Sequence, residues 1–483
     1  MTQDNMDVLK TVLEVERLLE QSDDLSPALE ASINMLLVIV KLLANRLGLN
    51  SRNSSKPPSA DPNREKKQRA TTGKKRGGQH GHIGSNLQPV DNPDEIQQIA
   101  IDRRTLPKDE YTDCGYESRQ VFDIRIYRYV TEYRAQILEN AKGQRFVAQF
   151  PPEVRKATQY GAGIKANAVY MSVFQLIPYE RIKTHFSELF GIPLSAGSLY
   201  NFNADAFERL ALFDVLSREK LRQANVLHAD ETGINVDGKR LWLHSASNDR
   251  WTYIAPHAKR GLEAMDDIGI LPHFNGLLVH DHWRPYFRYN SCIHVLCNAH
   301  HKRELTRAHE QDNQQWAIEL ESLLDKINEA VKEAGGYLPE PACRRWRMKY
   351  RRILRQADKE CPPPQEDPPE KKVRGRVARS KSRNLLERLR DYEEDVLRFM
   401  ENPLAPFTNN QGERDLRMVK VQQKISGCFR SMSGAEIYCR IQSYLSTCRK
   451  NGVGVGEALE RLFGGSWPDF IQQELEGIAI DAE

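Results

Sequence analysis

Three acidic residues that lie far apart in the chain have the types and surroundings required for metal-assisted chemistry. Asp230 and Asp281 each follow an apolar run, and Glu413 lies in a segment that has the pattern of a helix start. Three carboxylates that converge in space can hold two Mg²⁺ ions, because Mg²⁺ prefers a few carboxylates together with waters and phosphate oxygens. Two such ions promote the displacement of an oxygen at phosphorus. The three acids therefore predict chemistry that cuts and joins nucleic acid.

Two neighbouring acids compete with these candidates. Glu231 follows Asp230 directly, but the alternation of a strand would send the two side chains to opposite faces. Asp415 follows Glu413 by two residues, and this spacing points the side chains apart on a helix. Any one of these acids alone is typical of a cap or a turn, so the interpretation rests on the three together.

A Cys and a His after the second acid raise the question of zinc. Cys297 and His300 have the residue types of zinc ligands, but they supply only two, and no second pair has a suitable spacing. No structural zinc is therefore expected there. We expect His300 instead to lie near substrate phosphates, together with Lys302 and Arg303.

Composition and charge indicate a large protein with a polyanionic partner. With 483 residues the chain is too long for a single core. Lys and Arg number 70 and Asp and Glu 66, so the net charge is only +4. The basic residues are concentrated in blocks at 64–76, 344–355 and 371–383. One such block is commonly a solvated face, but three of them together with a phosphoryl-transfer site favour nucleic acid as partner.

The cysteines and the apolar segments favour a soluble protein of a reducing cytoplasm. The eight cysteines are scattered without close pairs, which argues against a disulfide-built secreted domain. The N-terminus carries acids where a signal peptide needs a basic region. The most apolar stretch, 35–40, is bounded by Asn34 and Lys41 and is too short to span a bilayer. We therefore expect no membrane partner.

Residues 1–49 are predicted to form two helices, over 6–21 and 27–48, and to serve in oligomerisation. Ser26 and Pro27 supply a helix cap and a first helical residue. The second helix carries an apolar stripe with alternating steps of four and three residues, which is typical of a coiled coil. The stripe consists of Leu29, Ile33, Leu36, Val40, Leu43 and Leu47. A packed hairpin would also explain it, but we favour pairing of protomers because nothing nearby offers a core.

Residues 50–95 are predicted to be a flexible basic arm, because so polar a segment cannot bury enough apolar surface to fold alone. The arm is expected to order on DNA. Its DNA-binding candidates are Lys66, Lys67, Arg69, Lys74, Lys75 and Arg76. Residues 96–155 are predicted to be a small β module, since apolar and polar residues alternate over 121–130.

Residues 156–222 are predicted to be a helical DNA-binding region. A helix over 179–190, a break at 191–194 and a capping Ser195 suit a helix-turn-helix. Ordinary helix packing produces the same spacing, so both interpretations stand.

Residues 223–304 and 406–465 are predicted to form an α/β core. The expected strands are 224–236, 240–247, 251–258, 276–281 and 291–297, with helices at 260–272 and from 299. Adjacent pairing of the first and fourth strands would bring Asp230 and Asp281 together. The polar segment 305–405 is predicted to be a helical insertion, and 466–483 a C-terminal tail.

Several cations accompany the third acid. They would offset the phosphate charge of a DNA end held beside the metals, although a solvated helix face explains any single one of them. These residues are Arg414, Arg417, Lys420, Lys424, Arg430 and Arg440.

The succession of short motifs resembles bacterial insertion-sequence transposases of the sixty-six family, which are DDE-type enzymes. The resemblance covers about residues 50–460, and its order is more specific than any single motif. The matching stretches include Pro178-Tyr179-Glu180-Arg181, Phe190-Gly191-Ile192-Pro193, Ala229-Asp230-Glu231-Thr232, Lys259-Arg260-Gly261, His280-Asp281-His282-Trp283, Cys297-Asn298-Ala299-His300 and Asn409-Asn410-Gln411-Gly412-Glu413-Arg414.

The resemblance implies a ribonuclease-H-like core with a helical insertion, in which Asp230, Asp281 and Glu413 bind Mg²⁺, for which Mn²⁺ can substitute. It implies double-stranded DNA, both element ends and target, as the partner, in the bacterial cytoplasm at the nucleoid. Since two ends must be held together, at least a homodimer is expected; accessory element-encoded proteins are left open. The family usually carries a cysteine-rich zinc module, of which only Cys114-Gly115 remains here.

These observations lead to one principal hypothesis and two alternatives. The principal one is a DNA transposase that cleaves phosphodiester bonds at insertion-sequence ends and joins the 3′-hydroxyl ends to target DNA by a two-metal mechanism. A non-catalytic DNA-binding regulator or degenerate element product would keep the basic arm and the helix-turn-helix without using the acids. A structure-selective nuclease would cut but not join.

Overall fold

The computed structural model describes residues 3–21, 25–54, 61, 87–364 and 379–480. The helices are α1 (Gln3–Glu20), α2 (Pro27–Leu47), α3 (Ala162–Val169), α4 (Tyr179–Phe190), α5 (Ala196–Arg209), α6 (Ala211–Arg222), α7 (Leu262–Ile268), α8 (Asn298–Asp312), α9 (Gln315–Glu333), α10 (Glu340–Glu360), α11 (Lys381–Asp391), α12 (Glu393–Leu397), α13 (Asn410–Ser426), α14 (Met432–Lys450), α15 (Val455–Gly464) and α16 (Asp469–Ile480). The strands are β1 (Ile137–Glu139), β2 (Arg145–Val147), β3 (Val226–Val236), β4 (Lys239–Ser247), β5 (Thr252–His257), β6 (Leu277–His280) and β7 (Ile293–Leu296).

A mixed five-stranded sheet forms the centre of the protein, in the order β5-β4-β3-β6-β7. Strands β3, β4 and β5 are antiparallel neighbours, whereas β6 pairs parallel with β3 and β7 parallel with β6. All four residues of β6 are buried, as is usual for a parallel strand covered on both faces. The α/β class and the adjacent pairing of the first and fourth predicted strands are confirmed.

The close approach of β6 to β3 depends on a glycine. A Cβ atom on Gly276, just before β6, would lie 2.6 Å from the carbonyl oxygens of Ala224 and Asn225. The N–H of Leu277 donates to the Asn225 carbonyl at 2.8 Å. Gly276 therefore lets the two strands start side by side, and the register set here determines which residues meet at their other ends.

The described residues form two large hydrophobic cores and a small third cluster around β6 and β7. The larger includes residues of the sheet, of helices α3 to α6 and of α13 to α16. The region 156–222 thus shares its core with the five-stranded sheet and does not form a core of its own. The second core lies mainly in helices α8 to α12 and includes Leu296 at the end of β7. The predicted helical nature of 305–405 is confirmed for its described part, which excludes 365–378.

The helix pair predicted within 156–222 is confirmed in its bounds. Helix α4 ends at Gly191, whose φ of 62° is the left-handed conformation that glycine adopts most readily. Helix α5 begins after Ser195, whose side chain accepts a hydrogen bond from the N–H of Ser198 at 2.9 Å. The arrangement is a helix, a short turn and a second helix; its role in binding DNA stays a prediction.

The predicted β module is much smaller in the structure. Residues 121–130, expected to be a strand, have no regular structure. Strands β1 and β2 pair antiparallel over three residues each, and all their side chains are exposed. Alternation produces a strand only where a partner strand and an apolar surface cover one face. Here that surface is missing, since Ile124 is 80% and Tyr127 78% exposed.

The N-terminal helices α1 and α2 contact each other, and Lys41 forms an ion pair with Glu16. Ser26 caps α2 as predicted by accepting from the N–H of Leu29. Leu36 and Leu43 of the apolar stripe remain 60% and 53% exposed. The hairpin therefore does not bury this stripe.

Helix α2 is long and apolar enough to cross a membrane by length and composition, with a mean hydropathy of 1.7 over its most apolar window. This differs from the sequence-based expectation, which treated Lys41 as the end of the apolar stretch, whereas the helix continues past it. One such helix near the N-terminus is weak evidence for a membrane span, because the core helix of a soluble protein and a signal sequence have the same length and composition.

Candidate active site

Asp230 and Asp281 lie side by side at one edge of the sheet. In the parallel pairing of β3 with β6, His228 is opposite Val279. Two residues further along each strand, Asp230 still belongs to β3 and Asp281 follows the last residue of β6. Because the register is maintained by the Gly276 contact, the two carboxylates come together as predicted.

The charges of three other acids act on the Asp230 carboxyl. Burial raises the pKa of the Asp230 carboxyl well above its usual range, and the charges of Glu231, Asp281 and Glu413 raise it further. The N–H of Glu231 donates to Asp230 Oδ1 at 3.0 Å. A single backbone donor offsets little of the repulsion among four carboxylates.

Asp281 has a similar but less extreme environment. Burial and then the charge of Glu231 raise the pKa of this carboxyl from 3.8 to about 6, and the guanidinium groups of Arg260 and Arg388 oppose the rise. The N–H of Trp283 donates to Asp281 Oδ1 at 2.8 Å. Asp281 is therefore oriented by the turn that follows β6.

Glu413 enters the site from the first turn of α13, which packs against β3. Its Oε1 lies 3.4 Å from Arg303 and 3.8 Å from His300 Nδ1. Glu413, His300 and Cys297 offer ligand atoms within 4.8 Å of one another, and among the described residues they form a cluster of side chains able to hold one metal ion. Sequence spacing predicted only two ligands here, because Glu413 is more than one hundred residues away in the chain. Asp230 and Asp281 are not part of that cluster.

Asn409 holds the start of α13 against β3, a role that sequence reasoning missed. Its side chain is buried; Nδ2 donates to the Ala229 carbonyl and Oδ1 accepts from His228 Nδ1, both at 2.8 Å. Its backbone N–H donates to Cys297 Sγ at 3.1 Å. Gly412 packs on the Asn409 side chain, so closely that a Cβ atom would lie 3.1 Å from Oδ1. This explains why an asparagine and a glycine precede Glu413.

We expect Asn409→Ala to lower the free energy of unfolding by about 1–3 kcal/mol, because it leaves buried groups of His228 and β3 without partners. The displaced helix start would also carry Glu413 away from the aspartates and reduce activity. Urea unfolding measures the first effect. Asn410→Ala, at the exposed next position, is the matched control, and an equal change in both variants would contradict the anchoring role.

The two rival acids have other partners. Glu231 is buried, accepts from Tyr286 Oη at 2.6 Å and pairs with Arg260 at 2.6 Å. Arg260 is held between the rings of Trp242 and Trp283, with Cζ at 4.8 and 4.2 Å from their centroids. Both carboxylate oxygens of Glu231 therefore have partners. Burial is the main cause of the raised pKa of Asp230 and of Asp281, and the charge of Glu231 is the next largest cause for each.

Asp415 points away from the site, as its spacing from Glu413 predicted. It forms an ion pair with Lys450 of α14 at 2.8 Å. The 7% exposure of its side chain shows that this pair belongs to the packing of α13 on α14.

The predicted DNA-binding residues fall into three groups. The arm candidates Lys66, Lys67, Arg69, Lys74, Lys75 and Arg76 lie outside the described residues. His300 and Arg303 border Glu413, whereas the Lys302 ammonium is bound to Asp325 at 2.6 Å and is directed to α9. The remaining candidates are exposed on or just after α13. They are Arg414, Arg417, Lys424 and Arg430.

The basic block at 344–355 is partly neutralised within the insertion. Arg347 pairs with Glu393 at 3.1 Å and with Glu401 at 2.8 Å. Arg351 pairs with Glu393 at 2.9 Å. These arginines therefore contribute to internal packing more than the sequence alone indicates.

The donor set suits a hard divalent cation. Asp230 and Asp281 are partly buried carboxylates that receive hydrogen bonds from backbone N–H groups and repel each other. A divalent cation between them would favour their charged forms and remove the repulsion. Two ions about 3.5–4 Å apart do not require every carboxylate oxygen to be in mutual contact. The residues present therefore fit Mg²⁺.

The site thus combines carboxylates from two strand ends of an α/β sheet with a third from the first turn of an adjoining helix. A family model described as "Transposase IS66 family" matches residues 157–437, more than half of the chain. The chain belongs to this family of transposases, which confirms the resemblance seen in its motifs. A second model, a family of unknown function (DUF6444), matches residues 5–88. No curated protein matches the chain.

Proposed function

We propose that the protein is a Mg²⁺-dependent DDE transposase that cleaves phosphodiester bonds at insertion-sequence ends and joins the freed 3′-hydroxyls to target DNA. The observation that carries this proposal is the convergence of Asp230, Asp281 and Glu413 from two strand ends and a helix start. Membership of a transposase family supplies DNA as the substrate class.

The sheet supports the further proposal that the core is ribonuclease-H-like. Three antiparallel strands are followed by two strands parallel to the first, and the first strand lies in the middle. Residues 305–405 leave this core after α8 begins and return before α13. In such an arrangement the insertion can lengthen the active-site wall without disturbing the sheet.

Both reaction steps exchange one oxygen at phosphorus for another. In cleavage, a water oxygen forms a bond to phosphorus, the bond to the 3′-oxygen breaks, and that oxygen takes up a proton. In joining, the 3′-hydroxyl loses its proton and attacks a target phosphorus, whose own 3′-oxygen leaves. Bound Mg²⁺ would lower the pKa of the attacking oxygen and stabilise the leaving one.

The chain's own residues provide position and charge for these steps. Asp230, Asp281 and Glu413 would bind the cations, and Asn409 keeps Glu413 within reach of the aspartates. Glu231 and Arg260 fix the turn after β6 through the contact of Arg260 with Trp283. No Tyr or Ser nucleophile is required, because no covalent protein–DNA intermediate is formed.

DNA would approach along α13. Arg414, Arg417 and Arg430 are exposed on or after this helix, and such cations release counterions when they neutralise phosphates. The arm residues 50–95 and the α4–α5 pair are further proposed DNA contacts. Helix α5 itself carries Asp205 and pairs it with Arg209 at 2.8 Å, so it would contribute less positive charge than α13. We place this activity in the bacterial cytoplasm, at the nucleoid.

We also propose that α2 pairs two protomers through a coiled coil. The exposed stripe that includes Leu36 and Leu43 is apolar and is left uncovered by α1. Leu43→Glu is expected to convert the oligomer into monomer, as measured by light scattering, because a charge in the seam must be desolvated. Glu substitution at Arg46, on the same helix, is the control for added negative charge. Association that survives Leu43→Glu would contradict this proposal.

The alternative is a non-catalytic DNA-binding regulator or degenerate element product. A labelled element-end duplex incubated with the protein and Mg²⁺ separates the two. Cleaved and joined products support the transposase, and binding without cleavage in Mg²⁺ or Mn²⁺ supports the regulator. Cleavage without joining would indicate a nuclease on the same core. Whether accessory element-encoded proteins take part would be seen from the need for added cell extract.

A further inference from the structure

Four buried side-chain nitrogens close to Asp281 and Glu413 have no hydrogen-bond partner. They are Nε2 of His282, Nδ1 of His300, Nε of Arg303 and Nε of Arg388. Buried polar atoms are nearly always paired in folded proteins, because an unpaired one costs the desolvation of the group. Ten such atoms occur among the described residues, and these four belong to elements that border Asp281 and Glu413, which points to a ligand there.

These residues come from three elements that meet beside the aspartates. His282 follows β6, His300 and Arg303 lie on α8, and Arg388 lies on α11 of the insertion. The centroid of the His282 ring lies 4.6 Å from that of Tyr392, the residue that follows α11. This contact brings the end of α11 to the site.

The Arg388 side chain extends from α11 to α8. It forms an ion pair with Glu304, the neighbour of Arg303 on α8. Burial lowers the pKa of both His282 and His300, and the charge of Arg388, together with that of Arg303 at His300, acts in the same direction. The same charge opposes the raised pKa of Asp281. The Arg388 guanidinium is therefore near residues of both the second strand end and α8.

We propose that Arg388, together with Arg303, His282 and His300, binds a phosphate of the DNA backbone beside the three carboxylates. The identity of the anion as a DNA phosphate rests on the proposed function; the oxyanion subsite itself rests on the unpartnered nitrogens. Guanidinium groups match phosphate oxygens in geometry and charge, and imidazole N–H groups donate to the same oxygens.

On this proposal the insertion is part of the active site. Arg388 is separated from Asp281 by more than one hundred residues of sequence, yet it supplies positive charge where the acids supply negative charge. The carboxylates would hold cations on one side of the phosphate, and the arginines would contact its oxygens from the other.

The first test uses inorganic phosphate as the probe, at ionic strength matched with chloride. Phosphate is expected to raise the Tm of the wild type by about 2–4 °C at saturating concentration, and to leave Arg388→Ala unchanged. Arg390→Ala is the matched control: Arg390 lies on the same helix but pairs with Asp358 at 2.7 Å. Equal stabilisation of both variants would overturn the subsite.

A second variant separates ligand binding from a structural role of the Arg388–Glu304 ion pair. Glu304→Gln removes the partner but keeps the arginine, so it should retain or increase the phosphate-induced rise in Tm. If Arg388 only braces α11 against α8, Glu304→Gln should behave like Arg388→Ala. That result would contradict the proposal even if Arg388→Ala were poorly folded.

Binding experiments with DNA test whether the bound phosphate belongs to the DNA backbone. Arg388→Ala is expected to reduce the slope of log affinity against log salt by about one for an element-end duplex. With a neutral methylphosphonate at the cleavage position, wild type and Arg388→Ala should bind equally. If phosphate raises the Tm but the wild type does not cleave DNA, the proposed function is contradicted and the phosphate-binding subsite is supported. Persistence of the affinity difference on the methylphosphonate duplex would show that Arg388 contacts no phosphate at that position.

Discussion

Asp230→Asn, Asp281→Asn and Glu413→Gln variants are each expected to cleave element-end DNA at least about 10³-fold more slowly than the wild type. Each substitution keeps the shape of the side chain and removes the charge that would bind a cation. Because the three acids act as one unit, a double variant should be little worse than a single one. Single-turnover cleavage of a labelled duplex in Mg²⁺ measures the effect.

A matched control is available just after the strand that carries Asp230. Asp237 is exposed in the turn after β3, with a φ of 50° that asparagine also accepts. Asp237→Asn therefore removes one carboxylate from the same region and should leave cleavage within about twofold, as expected of a surface substitution. Binding of the duplex should survive in all four variants. Cleavage retained by a folded Asp281→Asn protein would rule out the three acids as the site.

Asp281→Asn should make the metal-free protein more stable at pH 7 by about 2–3 kcal/mol. The pKa of the Asp281 carboxyl rises from 3.8 to about 6 on folding, mainly through burial. A rise of this size corresponds to about 3 kcal/mol between the two protonation states. The charged form is thus the costly one in the folded protein, and the amide removes that cost.

The sign of the pH dependence follows from the same shift. Between pH 4 and pH 6 the folded carboxyl holds a proton that the unfolded chain has released, so stability falls as pH rises through this window. The gap between wild type and Asp281→Asn should accordingly open above pH 4 and be complete above pH 6. Urea unfolding in chelator at several pH values measures it. A variant less stable than the wild type at pH 7 would contradict the inference that the charged Asp281 carboxylate destabilises the folded protein.

Divalent cations should close that gap, which gives a metal readout independent of activity. Excess Mg²⁺ is expected to stabilise the wild type because the cation binds the folded carboxylates and not the unfolded chain. It should stabilise Asp281→Asn much less, and Asp237→Asn as much as the wild type. Equal stabilisation of all three proteins would mean that Mg²⁺ binds elsewhere.

Sequence patterns were sufficient to predict the strands of the sheet and the neighbouring positions of Asp230 and Asp281, because these features depend on a few adjacent residues. Buried runs that end at Asp230 and Asp281 predict strands, and parallel neighbours bring their ends to one edge. Ser195 and Gly191 likewise predict where α5 begins and α4 ends. These signals are contained in a few adjacent residues, so they survive without knowledge of the rest of the chain.

The features that sequence could not predict depend on distant contacts. Alternation over 121–130 did not produce a strand, because no partner covers it. The anchoring of α13 by Asn409 requires His228 and β3, nearly two hundred residues earlier. The contact of Arg388 with Glu304 exists only because α11 packs on α8. Neither contact leaves a local signal in spacing or composition.

The central claim, that Asp230, Asp281 and Glu413 form the site of a DNA-joining enzyme, is tested most directly by strand transfer. Labelled element-end DNA is incubated with target DNA and Mg²⁺, using wild type, Asp281→Asn and Asp237→Asn. We predict joined products from the wild type and from Asp237→Asn, and none from Asp281→Asn. Joined products from all three proteins, or duplex binding without any joining by the wild type, would contradict it.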